Sequence, residues 1–116
     1  MFCTVKLNSE LALGTVVQFD SANQSWDTAT NHSDMIGVIQ QAPKQDDDGI
    51  WWAQVTFAGI TYALASQAIP DEGGELSVSN GAVFVDNTAD GCGIIAPLAR
   101  GQETRNAGAL VMVHLR

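Results

Sequence analysis

Ile50-Trp51-Trp52-Ala53-Gln54-Val55-Thr56-Phe57-Ala58-Gly59-Ile60-Thr61-Tyr62-Ala63-Leu64 is the stretch whose reading decides the fold. It holds two of the three tryptophans and the only tyrosine. Successive side chains of a strand point to opposite faces, so Trp51, Ala53, Val55 and Phe57 share one side. Trp52, Gln54 and Thr56 share the other. This alternation predicts a half-buried strand, and a second strand at 60–64 begins directly past Gly59.

Working outward, residues 2–7 alternate in the same way, with Cys3, Val5 and Leu7 opposite Thr4 and Lys6. They predict a first strand or an extended arm. Residues 10–13 are open to a single helical turn before Gly14. Further short strands are expected at 15–19, 26–30, 35–41, 75–78, 82–86, 93–97 and 109–115. The connections are polar or contain glycine or proline. Asp48-Gly49 and Asn80-Gly81 are tight-turn signals, the second the stronger. No helical period is sustained anywhere. The pattern predicts an all-β protein, a small compact β-barrel or β-sandwich. Residues 1–13 form an N-terminal strand or arm, and 14–116 a single β domain.

An internal echo gives the organisation. Gly14-Thr15-Val16-Val17, a turn, Trp26-Asp27-Thr28-Ala29 and Gly37-Val38-Ile39 share a plan with a later run. That run is Gly74-Glu75-Leu76-Ser77-Val78, the Asn80-Gly81 turn, Val85-Asp86-Asn87-Thr88-Ala89 and Gly93-Ile94-Ile95. Two pseudo-repeated hairpin modules around a central ribbon are expected, with Trp51, Val55 and Phe57 closing a core between them.

Composition narrows the function. A chain of 116 residues makes about one domain and buries roughly two thirds of its unfolded surface. The net charge of -8 argues against nucleic acid, because binding phosphates needs a basic patch. Residues 1–99 carry two lysines against twelve carboxylates, whereas 100–116 carry Arg100, Arg105 and Arg116 against Glu103. That end is able to meet an acidic partner, or its arginines are simply solvated. Cys3 and Cys92 either pair, if the first strand lies beside Gly91-Cys92-Gly93, or remain buried thiols. No leader-like or membrane-spanning apolar run is read from the sequence.

Catalytic patterns are scarce. His32 and His114 stand in unrelated contexts, and no nucleophile elbow, zincin, Cys-x-x-Cys or phosphate-loop motif occurs. Asp46-Asp47-Asp48 reads as a solvated hairpin tip, since adjacent aspartates point in different directions and lack calcium-loop spacing. No catalytic residue, cofactor or metal site is expected. What remains is surface. Trp52 faces away from the core side of its strand, and Met112 alternates with Val111 and Val113 on the last strand. Each either packs under a neighbouring loop or belongs to a contact with a subunit or partner. Trp52, Arg100, Arg105, Met112 and Phe2 are the candidate contact residues.

The chain resembles the small head-decoration, or capsid cement, proteins of tailed bacteriophages. The likeness is carried by Gly14 to Phe19, Met35-Ile36-Gly37-Val38-Ile39, Val55-Thr56-Phe57-Ala58-Gly59 and Ile69 through Gly73-Gly74-Glu75-Leu76. It continues in Gly93-Ile94-Ile95-Ala96-Pro97-Leu98-Ala99 and Val111-Met112-Val113-His114-Leu115. The resemblance implies a non-catalytic β-protein, made in the host cytoplasm, that sits on the outer surface of the expanded virion head. It also implies a homotrimer that bridges and stabilises subunits of the major capsid protein, with no nucleic-acid or membrane partner. The acidic tip at Asp46–Asp48 and the paired tryptophans depart from the family pattern. The competing expectation is a virion-associated carbohydrate- or receptor-binding β-module, with Trp51, Trp52 and Tyr62 as a stacking platform. A small β-barrel hydrolase is the least favoured.

Overall fold

The ribbon that begins the reading is two strands that never pair with each other. In the computed structural model, which describes residues 2–30, 36–88, 93–98 and 104–116, the chain parts at Gly59 and the two strands enter different sheets. The first sheet contains β1 (Phe2–Leu7), β2 (Val16–Asp20), β3 (Ser25–Thr28), β4 (Ile36–Ile39), β5 (Lys44–Gln45) and β6 (Trp51–Thr56). The second contains β7 (Gly59–Leu64), β8 (Gly74–Ser79), β9 (Ala82–Val85), β10 (Gly93–Ile95) and β11 (Leu110–Leu115). The protein is all-β, and residues 10–13 are irregular chain leading into a turn, not a helical turn.

The first sheet closes on itself in the order β1-β3-β2-β4-β6 and back to β1. β1 pairs antiparallel with β6 over its whole length, from Phe2 opposite Thr56 to Leu7 opposite Trp51. It is a barrel strand, not a free arm. β5 adds to β6 beside the Trp51–Trp52 end. The second sheet runs β7-β11-β10-β8-β9, and a parallel bridge between Ala65 and Val83 brings β9 back to the end of β7.

Both barrels therefore follow one plan: a strand, a hairpin, a fourth strand and a closing strand. The echo found in the sequence falls on β2-β3-β4 and β8-β9-β10. Beyond it, Leu7 opposite Trp26 matches Ala65 opposite Val83. Each is followed by the same bond, Asn8 N–H to Trp26 O and Ser66 N–H to Val83 O, both 2.9 Å. Val55 stands between Cys3 and Ile39 as Val113 stands between Thr61 and Ile95. It follows that Phe2, Thr4 and Lys6 are equivalent to Ile60, Tyr62 and Leu64. Likewise Trp52, Gln54 and Thr56 are equivalent to Leu110, Met112 and His114.

The core is divided accordingly. Val5, Leu7, Val17, Ile39, Ala53 and Val55 fill the first barrel, with Leu11, Trp26, Trp51 and Phe57 packed against them. The Trp26 ring lies 5.1 Å from that of Phe57 and 5.6 Å from that of Phe19. Such aromatic pairs add about 0.5–1.5 kcal/mol each beyond simple burial. Trp51, Val55 and Phe57 thus belong to the inside of one barrel, not to a core between two modules. The seam between barrels is built by the opposite faces of β2 and β4. Val16, Ile36 and Val38, together with Ala29, join the cluster of the second barrel, which includes Leu76, Val83, Ile95, Val111 and Val113. Because β2 and β4 are covered on both faces, Val16-Val17 and Ile36-Gly37-Val38-Ile39 are apolar without alternation.

The turn at Asn80-Gly81 fastens the seam. Val16 N–H donates to Gly81 O at 2.8 Å, and Gly81 N–H donates to Ala29 O at 2.7 Å. Gly81 has φ +79, and a Cβ there would stand 2.8 Å from Thr28 Cγ2 and 3.0 Å from Thr15 Cγ2. Gly59 also has a positive φ, +93, but a Cβ there meets nothing within 4 Å. Gly81→Ala is therefore expected to lower the unfolding free energy by about 3 kcal/mol, against about 1 kcal/mol for Gly59→Ala. Urea unfolding of the two variants checks the difference, and equal losses would mean that the tip is not tightly seated.

Candidate functional site

Alternation along the two closing strand pairs sets two outward faces, one on each barrel. On the first, β1 presents Phe2, Thr4 and Lys6 beside Trp52 and Gln54 of β6, while Thr56 lies on the same side of β6 but is buried. Phe2 is 59% exposed and Trp52 38%. They lie at opposite ends of the face, since Phe2 is opposite Thr56 and Trp52 opposite Lys6. Between them the surface is polar. Thr56 donates a hydrogen bond to Gln40 Oε1, and Gln40 Nε2 donates to Gln54 Oε1 at 3.2 Å.

Trp52 is tied to the acidic tip. Its indole Nε1–H donates to Asp46 Oδ2 at 2.8 Å, while Asp46 Oδ1 accepts from the backbone N–H groups of Asp48 and Ile50, each at 2.9 Å. Asp46 is thus the internal acceptor that shapes the turn, which explains an acidic residue here without a cation. The reading of Trp52 as packed under a neighbouring loop applies in part: the tip steadies its polar edge, and the residue remains 38% exposed.

On the second barrel the equivalent face is apolar. β7 presents Ile60, Tyr62 and Leu64, β11 presents Leu110, Met112 and His114, and β10 adds Ile94. Tyr62 lies directly opposite Met112, and His114 lies between Ile60 and Ile94. A hollow of about 500 Å³ opens beside Tyr62, Leu110 and Met112, walled by Pro97, Leu98 and Arg105. A smaller one of about 180 Å³, with Leu13 and Gln40, lies on another side of Tyr62 and Leu110. From this face the sequence singled out Met112 as a contact candidate and Tyr62 as part of a stacking platform.

Arg105 is buried, at 9% exposure. Its guanidinium donates to the carbonyls of Ala96 and, at 2.8 Å, Pro70, and its own carbonyl accepts from Ile69 N–H at 2.9 Å. It clips the end of β10 to the loop before β8, so it is not one of a group of solvated arginines. Arg100, His32 and Cys92 lie outside the described residues. Cys3 is an exposed free thiol on β1, opposite Val55, and β1 and β10 belong to different sheets. Trp51, Trp52 and Tyr62 do not form a common platform, because Trp51 points into the first barrel and Tyr62 lies on the second. Among the described residues, no three side chains of His, Cys, Asp or Glu gather as a metal site.

Comparison of the chain with protein-family models, with curated proteins and with solved structures finds no match.

Two measurements follow from this geometry. The Asp46 carboxyl is held below the ordinary aspartate value of 3.8, first by the Trp52 indole and then by the Ile50 N–H. A depressed folded pKa means that this support is present above pH 3.8 and is lost as pH falls through the lower folded value. The Trp52 indole N–H resonance is expected to titrate with a midpoint below 3.8, and Asp46→Asn to abolish that titration. A midpoint at or above 3.8 would contradict the bond. Separately, Arg105→Met removes two charge-assisted bonds to backbone carbonyls. It should cost about 2–4 kcal/mol in chemical denaturation, far more than an exposed arginine would.

Proposed function

We propose that this chain is a structural decoration protein of a tailed-phage head, a cement that binds the outer surface of the expanded shell and bridges capsid subunits. The observation that carries the reading is the pair of equivalent outward faces on one molecule, each with different chemistry. A molecule that bridges needs at least two separate contact surfaces, and tandem barrels supply them on one short chain. The sequence resemblance supports the same reading, since its Ile-Gly-Val and Gly-Ile-Ile segments lie in β4 and β10, equivalent strands of the two barrels. On this proposal the protein acts without catalysis, as part of the virion, with the major capsid protein as its partner.

The face of the first barrel is the one assigned to the capsid. Phe2 and Trp52 are exposed aromatic anchors at its two ends, with Lys6 and polar side chains around them. Aromatic anchors within a polar surround are the usual carriers of interface energy. Individual contacts need not be strong, because many sites on one shell add through multivalency.

The test is to mix the purified chain with expanded heads, lacking it, of the phage whose genome encodes it. Saturable, stoichiometric binding and a higher disruption temperature of the heads are expected. Trp52→Ala should weaken binding by about thirtyfold, a hot-spot loss of about 2 kcal/mol, with circular dichroism unchanged. Absence of binding, or heads equally heat-stable with and without the chain, would refute the proposal.

A further inference from the structure

Arg105 is the one charged side chain that is buried among the described residues, and its surroundings leave it incomplete. A guanidinium carries five N–H donors and one full positive charge. Carbonyls of Ala96 and Pro70 take two of the donors. The Nε–H is buried and meets no acceptor in the protein. Among the described residues no carboxylate pairs with Arg105 either, since the ion pair they form joins Arg116 to Glu75. Carbonyl dipoles replace part of the water that a buried cation loses, but they do not neutralise it.

The same side chain walls the larger hollow of the second barrel. That hollow holds about 500 Å³ and is lined, besides Arg105, by Tyr62, Pro97, Leu98, Leu110 and Met112. Sites for small molecules measure about 300–1,000 Å³ and combine mostly apolar walls with a few placed polar groups. The hollow can be entered from solvent, because Tyr62 is 52% exposed and Leu110 45%. Apolar walls, an open approach and a cation without a counter-charge thus coincide at one place.

Charge selects the class of ligand. Arg105 is the one cation among the described lining residues, so it balances a single negative charge. A phosphate or a dicarboxylate would press a second charge against Leu98, Leu110 and Met112, where nothing compensates it. A neutral apolar molecule would leave the guanidinium as it is, with its charge unpaired. A monocarboxylate with an aromatic or branched apolar body meets both demands. Its oxygens accept in the fork geometry that a guanidinium offers, and its body rests on Tyr62, Leu110 and Met112. The chain's net charge of -8 does not forbid an anion here, because salt screens distant carboxylates beyond about 8 Å at physiological ionic strength.

We propose that the hollow beside Arg105 is a binding site for a small monocarboxylate with an apolar body, whose carboxylate Arg105 holds. The proposal is independent of the cement reading, which concerns the first barrel and needs phage heads for its test. Here the full chain is titrated with sodium phenylpropanoate at physiological salt and followed by nitrogen–proton correlation NMR. Saturable shifts are expected at the amides of Leu98, Arg105 and Met112 and at the Arg105 Nε–H. Phenylpropanol has the same carbon skeleton without the charge, and it should bind about tenfold more weakly. Because Arg105→Met is itself destabilising, the wall is altered instead of the arginine. Met112→Glu places a carboxylate beside the guanidinium and should weaken phenylpropanoate binding by about tenfold or more, with circular dichroism unchanged. The proposal is overturned if phenylpropanoate gives no saturable shifts, or gives them only away from the hollow. It is equally overturned if phenylpropanol binds as tightly, or if folded Met112→Glu protein binds phenylpropanoate as wild type does.

Discussion

Two backbone hydrogen bonds at Gly81, together with Leu64 N–H to Gly14 O at 2.9 Å and the shared apolar cluster, set one small barrel against the other. Each barrel alone has few strands and a thin interior. A module of that size exposes too large a fraction of its surface to be stable by itself. Joining the two turns the outer faces of β2 and β4 into interior, and Val16, Ile36 and Val38 then contribute to the core of the neighbouring module. The hairpin tip of the second barrel must come within hydrogen-bonding distance of Val16 and Ala29 for this to happen. A residue with a Cβ at that point would meet the Thr15 and Thr28 methyls.

The seam also explains why the barrels differ where they do. Interior positions are constrained twice, by barrel closure and by the packing of the partner module. Outward positions on the closing strands face neither, so their chemistry follows what lies outside the chain. One body thus carries one largely polar face with aromatic ends and one apolar face.

Much of this was legible in the sequence, for identifiable reasons. Period-two alternation located β6, β7 and β11 and turned Trp52 outward, because pleating is a local property. The shared glycine and turn pattern located the duplicated hairpins. It missed the equivalence of β1 with β7 and of β6 with β11, since Thr4 and Tyr62, or Gln54 and Met112, share no side-chain chemistry. Backbone pairing alone shows that relation. β5 was missed because Lys44-Gln45 carries no hydrophobic signal and joins β6 through its backbone. That a second strand begins at about Gly59 was read correctly, but nothing in its neighbours says that the chain there enters a second sheet.

The residues that misled are those whose partners are distant in sequence. Arg105 sits in a polar stretch and reads as solvated, yet its side chain reaches a carbonyl at Pro70, thirty-five residues away. Burying a guanidinium is tolerable only where carbonyl dipoles replace its water, and that condition is created by the loop before β8 and the end of β10 together. Trp52 is the opposite case. Its indole finds an acceptor only six residues away, in an aspartate whose other oxygen is already committed to the turn. Asp46 therefore fixes the tip and the tryptophan at once, and a neutral residue with one acceptor could not satisfy both sides of the arrangement equally well. The acidic tip, read from the sequence as merely solvated, is better explained at Asp46 by that shared carboxylate.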